Sequence, residues 1–422
     1  MLVFKFGGAS VKNAEAIRNV GSIVGRFTAN PLVVVVSAMD KTTNVLEGLA
    51  HLAAQVREAE ALARLEQVKR FHAQIVEELF GEASPAVLNK LEPFYLEIDR
   101  LVRGIALLQY CPPRAVERIM SFGELLSSTI LVDYLNSISV PADWLDAREL
   151  IVTDSKFEQA DIIWGQTIAN LRQAVLPVVA ARRVAVVPGY IARNTDGLTV
   201  TLGREGSDFT ASIVAHALDA EQMNVWKDVP GVLNGDPRRY PDARLIPELT
   251  YERTIEMTFF GAKVLHPRTL KPLFSKGIPL AVRSFVEPAL PGTLVSAQAT
   301  GKPGARMDKE QQALIRIQPR DYSFIAEEGH LGRIFAHIND LGLTVNLTQS
   351  SALTLTLCLD YKPEPVQELV ARLEEDGFDT TVRTGLRLMT RLQGDPEPWP
   401  VPTAGVVLIQ QDELGFRAVL EQ

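Results

Sequence analysis

Leu2-Val3-Phe4-Lys5-Phe6-Gly7-Gly8-Ala9-Ser10 opens the chain. Val3 to Phe6 reads as a short buried strand and the glycine pair as a turn. Ile17, Val20, Val24 and Phe27 then recur at helical spacing. The alternation repeats further along. Leu32 to Val36, Val184 to Val187, Met223 to Trp226 and Ile278 to Val282 read as buried strands, and Thr210, Ile213, Val214 and Ala217 mark one face of another helix. Strands alternating with helices predict an α/β fold, an open and mostly parallel sheet sandwiched by helices.

Residues 45 to 110 break the rhythm. They are rich in Leu, Ala, Glu, Arg and Gln with no strand pattern, and predict a helical insertion. From 286 to about 311 the composition turns to Pro and Gly, which marks a boundary. Beyond it Ile315 and Ile317 begin a strand, and Leu331, Ile334, Phe335 and Ile338 share a helical face. Two strands follow, Leu343 to Leu347 and Leu353 to Leu359. Val366, Leu369, Val370 and Leu373 form a second helix, and a strand spans Thr380 to Leu388. That order is βαββαβ, the ferredoxin-like arrangement. The expected domains are therefore 1–295 and 311–422.

At 422 residues, 46% hydrophobic and 22% charged, the composition is that of a soluble globular protein. A net charge of −8 argues against a nucleic-acid partner. Cys111 and Cys358 stand far apart in no metal-like spacing, so neither a disulfide framework nor a metal cage is expected. The N-terminus shows no signal-peptide pattern and no apolar run is long enough to cross a bilayer, which makes the expected location cytoplasmic and membrane-free.

Chemistry concentrates in a few segments. Lys5-Phe6-Gly7-Gly8 is either a tight connection or a phosphate cradle with a cation beside it. Gly203-Arg204-Glu205-Gly206-Ser207-Asp208 opens a helix. Ser207 and Asp208 suit its cap or first turn, whereas Arg204 suits a fork on a carboxylate. Trp226-Lys227-Asp228-Val229-Pro230-Gly231, with Gly235-Asp236-Pro237-Arg238 after it, reads first as turn chemistry. Phe260-Gly261-Ala262-Lys263-Val264-Leu265-His266-Pro267 sets Lys263 in or near the first turn of a helix, against its dipole, where an anion would compensate. Ser121-Phe122-Gly123-Glu124 offers either a first-turn acid or an ammonium ligand. No P-loop and no protein-kinase motif occurs. Lysines and glycine-rich helix mouths on a parallel sheet nevertheless suit phosphoryl transfer, which needs positioning and charge neutralisation.

In this order, with Thr43-Asn44 and the C-terminal ferredoxin-like region, the segments resemble aspartate kinases of the amino-acid kinase family, whose C-terminal regions are ACT domains. The resemblance covers nearly the whole chain. It implies transfer of the γ-phosphoryl group of ATP, carried with Mg²⁺, to L-aspartate. Lys5 and Lys263 would neutralise the transferring group, Asp208 would hold Lys5, and Gly7 and Gly8 would lie near the phosphates. Thr43, Glu124, Arg204 and Ser207 would bind aspartate, Glu124 facing its ammonium. Lys227, Asp228, Leu233, Arg238 and Val264 would complete the nucleotide site. It also implies a homodimer paired through the ACT-like region and an amino-acid effector near Asn346, Ser350 and Ser351. Threonine, alone or with lysine, is the expected effector, because lysine-sensitive relatives tend to carry an acid where this chain has Asn346.

Three features depart from the family pattern. Ala9 replaces the usual threonine of KFGGTS, Leu233 stands where an aromatic is common, and the C-terminal region is short for a pair of ACT units, with a Pro-rich stretch at Asp395 to Pro402. Two rivals follow from these: a catalytically inactive amino-acid sensor, and a kinase of the same fold acting on another carboxylate such as glutamate.

Overall fold

The structure, a computed structural model, describes residues 1–156, 160–262, 265–326, 329–394 and 400–421. The chain forms two compact units. The first comprises Met1–Val232, Leu245–Tyr251 and Leu265–Thr300, and the second Leu233–Arg244, Glu252–Val264 and Gly301–Gln422. The second thus takes in two segments, 233–244 and 252–264, that lie within 1–295 by number.

In the first unit the strands are β1 (Leu2–Phe6), β2 (Leu32–Val36), β3 (Ala142–Trp144), β4 (Val152–Thr153), β5 (Val184–Pro188), β6 (Ile191–Asn194), β7 (Thr199–Thr201), β8 (Gln222–Lys227), β9 (Glu248–Leu249), β10 (Leu280–Ser284) and β11 (Thr293–Val295). Eight of them make one sheet in the order β3-β5-β2-β1-β8-β10-β11-β9. Every pairing in it is parallel except β10 with β11. All five residues of β2 are buried, as expected of a strand covered on both faces. Strands β4, β6 and β7 form a small separate sheet. Ile278 and Pro279 precede β10, so this strand begins two residues later than the apolar run suggests.

The helices are α1 (Ala14–Gly25), α2 (Thr42–Ala54), α3 (Glu58–Phe80), α4 (Ser84–Leu108), α5 (Pro113–Ser137), α6 (Ala147–Leu150), α7 (Trp164–Ala180), α8 (Gly206–Ala217), α9 (Tyr251–Phe259), which runs on into the second unit, and α10 (Pro267–Phe274). The predicted helical insertion is α2 to α4. Helix α1 starts where the Asn13 side chain accepts the Ala16 N–H at 2.9 Å, after a short 3₁₀ turn over Gly8–Val11. Among the described residues no helix is long and apolar enough to cross a membrane.

The second unit holds β12 (Ala305–Pro319), α11 (His330–Asp340), β13 (Val345–Ser350), β14 (Leu355–Asp360), α12 (Pro363–Glu375), β15 (Phe378–Leu392), β16 (Val406–Asp412) and β17 (Gly415–Glu421). Its antiparallel sheet runs β13-β14-β12-β15-β17-β16. The βαββαβ reading is correct in order, but β12 begins at Ala305 rather than near Ile315. The charged stretch Arg306–Glu310 hides a strand because Asp308, Lys309 and Glu310 mask the alternation. Ile315, Ile317, Leu357, Leu359, Ile334, Ile338, Leu369 and Leu373 form the core under the two helices. Phe335, expected on that face, is 40% exposed. The last strands extend the same sheet through the far half of β15. Residues 395–399 of the Pro-rich stretch lie outside the described residues.

Candidate active site

A cleft of about 1240 Å³ opens in the first unit. Its floor comes from the carboxyl ends of β1, β2, β5 and β8, which are neighbours in the sheet. From β1 the chain moves to β2 on one side, and later to β8 on the other. A crevice at such a switch point is where open parallel sheets bind ligands.

Lys5, Gly8, Thr43, Glu124, Arg204, Ser207, Asp208 and Lys227 all line this cleft. Gly8 is there for proximity: a Cβ on it would stand 2.8 Å from the Asp40 carbonyl oxygen and 2.9 Å from that of Ala38. Lys5 is 8% exposed and its Nζ lies 2.5 Å from Asp208 Oδ1, so it is a fixed cation. Lys227 Nζ stands 3.6 Å from Asp208 Oδ2. Burial works to raise the Asp208 carboxyl, but Lys5 and Lys227 outweigh it and hold it below the usual range. Asp208 and Ser207 sit in the first turn of α8, which begins at Gly206. Arg204, just before that turn, is exposed to the cleft, and no hydrogen bond or ion pair among the described residues engages it.

Glu124 is not at the head of a helix. Helix α5 begins at Pro113, so Glu124 lies in its fourth turn, and the first-turn alternative falls away. Gly123 beside it allows α5 to press on the loop after β2 and the start of α2, since a Cβ there would meet Ala38 Cβ at 2.8 Å and Thr43 Oγ1 at 3.3 Å. Glu124 Oε1 accepts the Ala38 N–H at 3.2 Å, while Oε2 is buried with no partner among the described residues. Burial pushes its carboxyl up to about 8, against the Ala38 N–H, its own N–H and the Lys5 charge.

Other expected residues fall elsewhere. Gly7 precedes the 3₁₀ turn, with Lys5 Nζ 3.4 Å from where its Cβ would be. Asp228 directly follows β8. Leu233 and Arg238 belong to the second unit, where the Arg238 guanidinium forks onto Asp236 at 3.0 and 2.7 Å. Lys263 and Val264 lie outside the described residues; α10 begins at Pro267, with His266 as its cap. In the second unit Asn346 is 4% exposed and engaged: its carbonyl accepts Lys309 Nζ at 2.7 Å, and its Nδ2 donates to Gln312 and Asp360, both at 2.7 Å. Ser350 ends β13, and Ser351 Oγ lies 2.7 Å from Thr354 Oγ1 in the following turn.

The cleft also contains residues that sequence reasoning missed, notably Glu117, Tyr190, Glu205 and Arg268. Glu117 stands seven residues before Glu124, two turns along one face of α5. That spacing would have exposed it had the start of α5 been placed at Pro113. Asp40, Tyr190 and Glu205 adopt positive φ (47°, 67° and 53°) and all line the cleft. Strained non-glycine backbone gathers at functional sites.

A family model for the amino acid kinase family matches residues 1–284. Aspartokinase 1 of Arabidopsis thaliana chloroplasts is 33% identical over 87% of this chain and 65% of its own length, so this chain spans about two thirds of that relative. Lysine-sensitive aspartokinase 3 of Escherichia coli is 32% identical over 85% of this chain and 78% of its own. The crystal structure of E. coli aspartokinase III in complex with aspartate and ADP is similar across 100% of this chain and 96% of that one, at TM-score 0.83 and 27% identity. The chain belongs to the amino acid kinase family, within its aspartokinase group.

Proposed function

We propose that this chain is an aspartate kinase, transferring the γ-phosphoryl group of ATP to the β-carboxylate of L-aspartate to give 4-phospho-L-aspartate and ADP. The observation that carries the reading is the meeting of Lys5, Lys227, Asp208, Arg204 and Glu124 in one cleft. A carboxylate oxygen of aspartate forms the new bond to the γ-phosphorus as the bond to the β–γ bridging oxygen breaks, and ADP leaves. The nucleophile is already ionised at neutral pH, so no general base is needed. Lys5 and Lys227 neutralise phosphate charge, with Asp208 fixing both ammonium groups. Arg204 grips a carboxylate of the amino acid and Glu124 receives its ammonium, with Thr43 and Ser207 alongside. Lys263 as a second cation on the transferring group, and Asp228, Leu233, Arg238, Lys263 and Val264 in the nucleotide site, remain proposals that rest on the family resemblance.

The described residues gather no group of three His, Cys, Asp or Glu side chains able to cage a metal, and Asp208 is committed to two lysines. Mg²⁺ carried with ATP would supply charge neutralisation to its phosphates.

Purified protein with Mg-ATP is expected to phosphorylate L-aspartate, trapped as its hydroxamate, and to leave L-glutamate essentially untouched. Equal use of both acids, or of neither, would sink the assignment and favour one of the rivals.

We further propose a cytoplasmic homodimer associating through its C-terminal sheets, with threonine, or threonine plus lysine, as any inhibitor. The amide of Asn346 already spends both donors on Gln312 and Asp360 and accepts from the chain's own Lys309. It has no negative charge to offer a free lysine ammonium. Lysine alone is therefore expected to leave the rate unchanged in a titration, and sedimentation to give a dimer. Strong inhibition by lysine alone, or a monomer at assay concentration, would overturn this.

A further inference from the structure

Charged side chains clasp the strand that delivers Arg204. Helix α5 reaches β7 twice. Glu117 Oε1 accepts the Thr201 hydroxyl at 2.8 Å and the Thr201 N–H at 3.2 Å. Arg118 donates to Thr199 Oγ1 at 2.8 Å, while its remaining nitrogens hold Glu97 on α4. On the next residue, Leu202, the carbonyl accepts Arg268 NH1 at 3.1 Å, and Arg268 NH2 donates to the Ala160 carbonyl at 3.1 Å. The Arg268 guanidinium also covers the Phe209 ring of α8 at 4.7 Å. The Leu202 N–H is taken by the Tyr190 carbonyl at 2.8 Å, presented by a residue at φ 67°. Thr201 is 2% exposed and Glu117 3%, so the Glu117–Thr201 contact sits in a low-dielectric environment where a hydrogen bond is stronger than in water.

Two residues after Leu202 comes Arg204, whose guanidinium has no partner of its own among the described residues. Among the described residues nothing local fixes that side chain, so its placement depends on how firmly the backbone before it is held. We infer that Glu117 and Arg268 are positioning residues for the amino-acid substrate, acting through Thr201 and Leu202 to aim Arg204 into the cleft. Glu117 does this from the helix that also carries Glu124, so one rigid element sets both the carboxylate and the ammonium partner of the substrate. The inference rests on the proposed role of Arg204. A positioned group displaced by about 1 Å can lose two orders of magnitude in efficiency.

The test is steady-state kinetics of the full chain with each substrate varied in turn. Thr201→Val removes the hydroxyl donor at nearly constant volume and keeps Glu117. It is expected to raise KM for aspartate about tenfold, the scale of one buried hydrogen bond, with KM for ATP and kcat little changed. Thr201→Ser restores the donor and is expected to return KM to the wild-type value. Arg268→Lys, which cannot fork across two carbonyls, should raise the aspartate KM in the same direction. Glu117→Gln keeps an acceptor and should fall between wild type and Thr201→Val. An unchanged aspartate KM in Thr201→Val, or an equal rise in both KM values with no rescue by serine, would overturn the inference. A wild-type protein that never uses aspartate would instead defeat the function proposed above, and the two failures are separable on that basis.

Discussion

Lys5→Ala is expected to lower kcat about a hundredfold or more, because a preorganised charge at a phosphoryl-transfer transition state is typically worth about 3 kcal/mol. The geometry makes the effect specific. Lys5 emerges from a central strand, is almost wholly buried, and is held 2.5 Å from Asp208. The orientation cost is met during folding, not during the reaction. The substitution also strips Asp208 of its nearer counter-ion and leaves Lys227, at 3.6 Å, as its partner among the described residues. Breaking a buried pair by removing one partner is itself destabilising. Lys5→Ala/Asp208→Asn, which leaves no uncompensated carboxylate, is the proper comparison. It should recover thermal stability without recovering turnover. Near-normal kcat in either variant would show that the phosphoryl group is not held here.

The second large effect concerns Glu124 and pH. Burial lifts its carboxyl to about 8, so below that pH the empty cleft holds it mostly protonated. An ammonium needs the ionised form. Binding aspartate must therefore expel a proton at neutral pH, and the aspartate KM is expected to fall as pH rises towards about 8, then level off. The slope can approach tenfold per pH unit, the limit for a single titrating group. Glu124→Gln can still accept the Ala38 N–H, so the fold should survive. It should raise the aspartate KM by roughly ten- to a hundredfold at the pH optimum and flatten the profile. A flat profile in the wild type, or the same slope in the glutamine variant, would remove Glu124 from the substrate site.

Much of this molecule follows from local pattern. Strands β1, β2, β5 and β8 were legible because a strand buried on both faces is a nearly continuous apolar run, interrupted within by Lys5 in β1 and Asn224 in β8, and nothing distant is needed to recognise one. The insertion α2 to α4 and the order of the first ferredoxin-like unit were legible for the same reason. The beginning of β12 was not, since a charged strand segment looks like loop when its partners on β15 are unknown. Helix α5 was misread at its start, and that error moved Glu124 to the wrong turn and concealed Glu117.

What the sequence by itself determined was the fold class and the identity of the chemical groups: lysines, an arginine, an aspartate and a glutamate. Tertiary structure alone decided which of them meet and in what ionisation state. Lys5 and Asp208 are 203 positions apart in the chain, and Glu124 is buried by elements far from it in sequence. Neither the distance between two charges nor the water removed from around a carboxyl is a property of neighbouring residues. Both arise from the sheet bringing the ends of β1, β2, β5 and β8 to one edge, and a pattern of local periodicity carries no information about that closure.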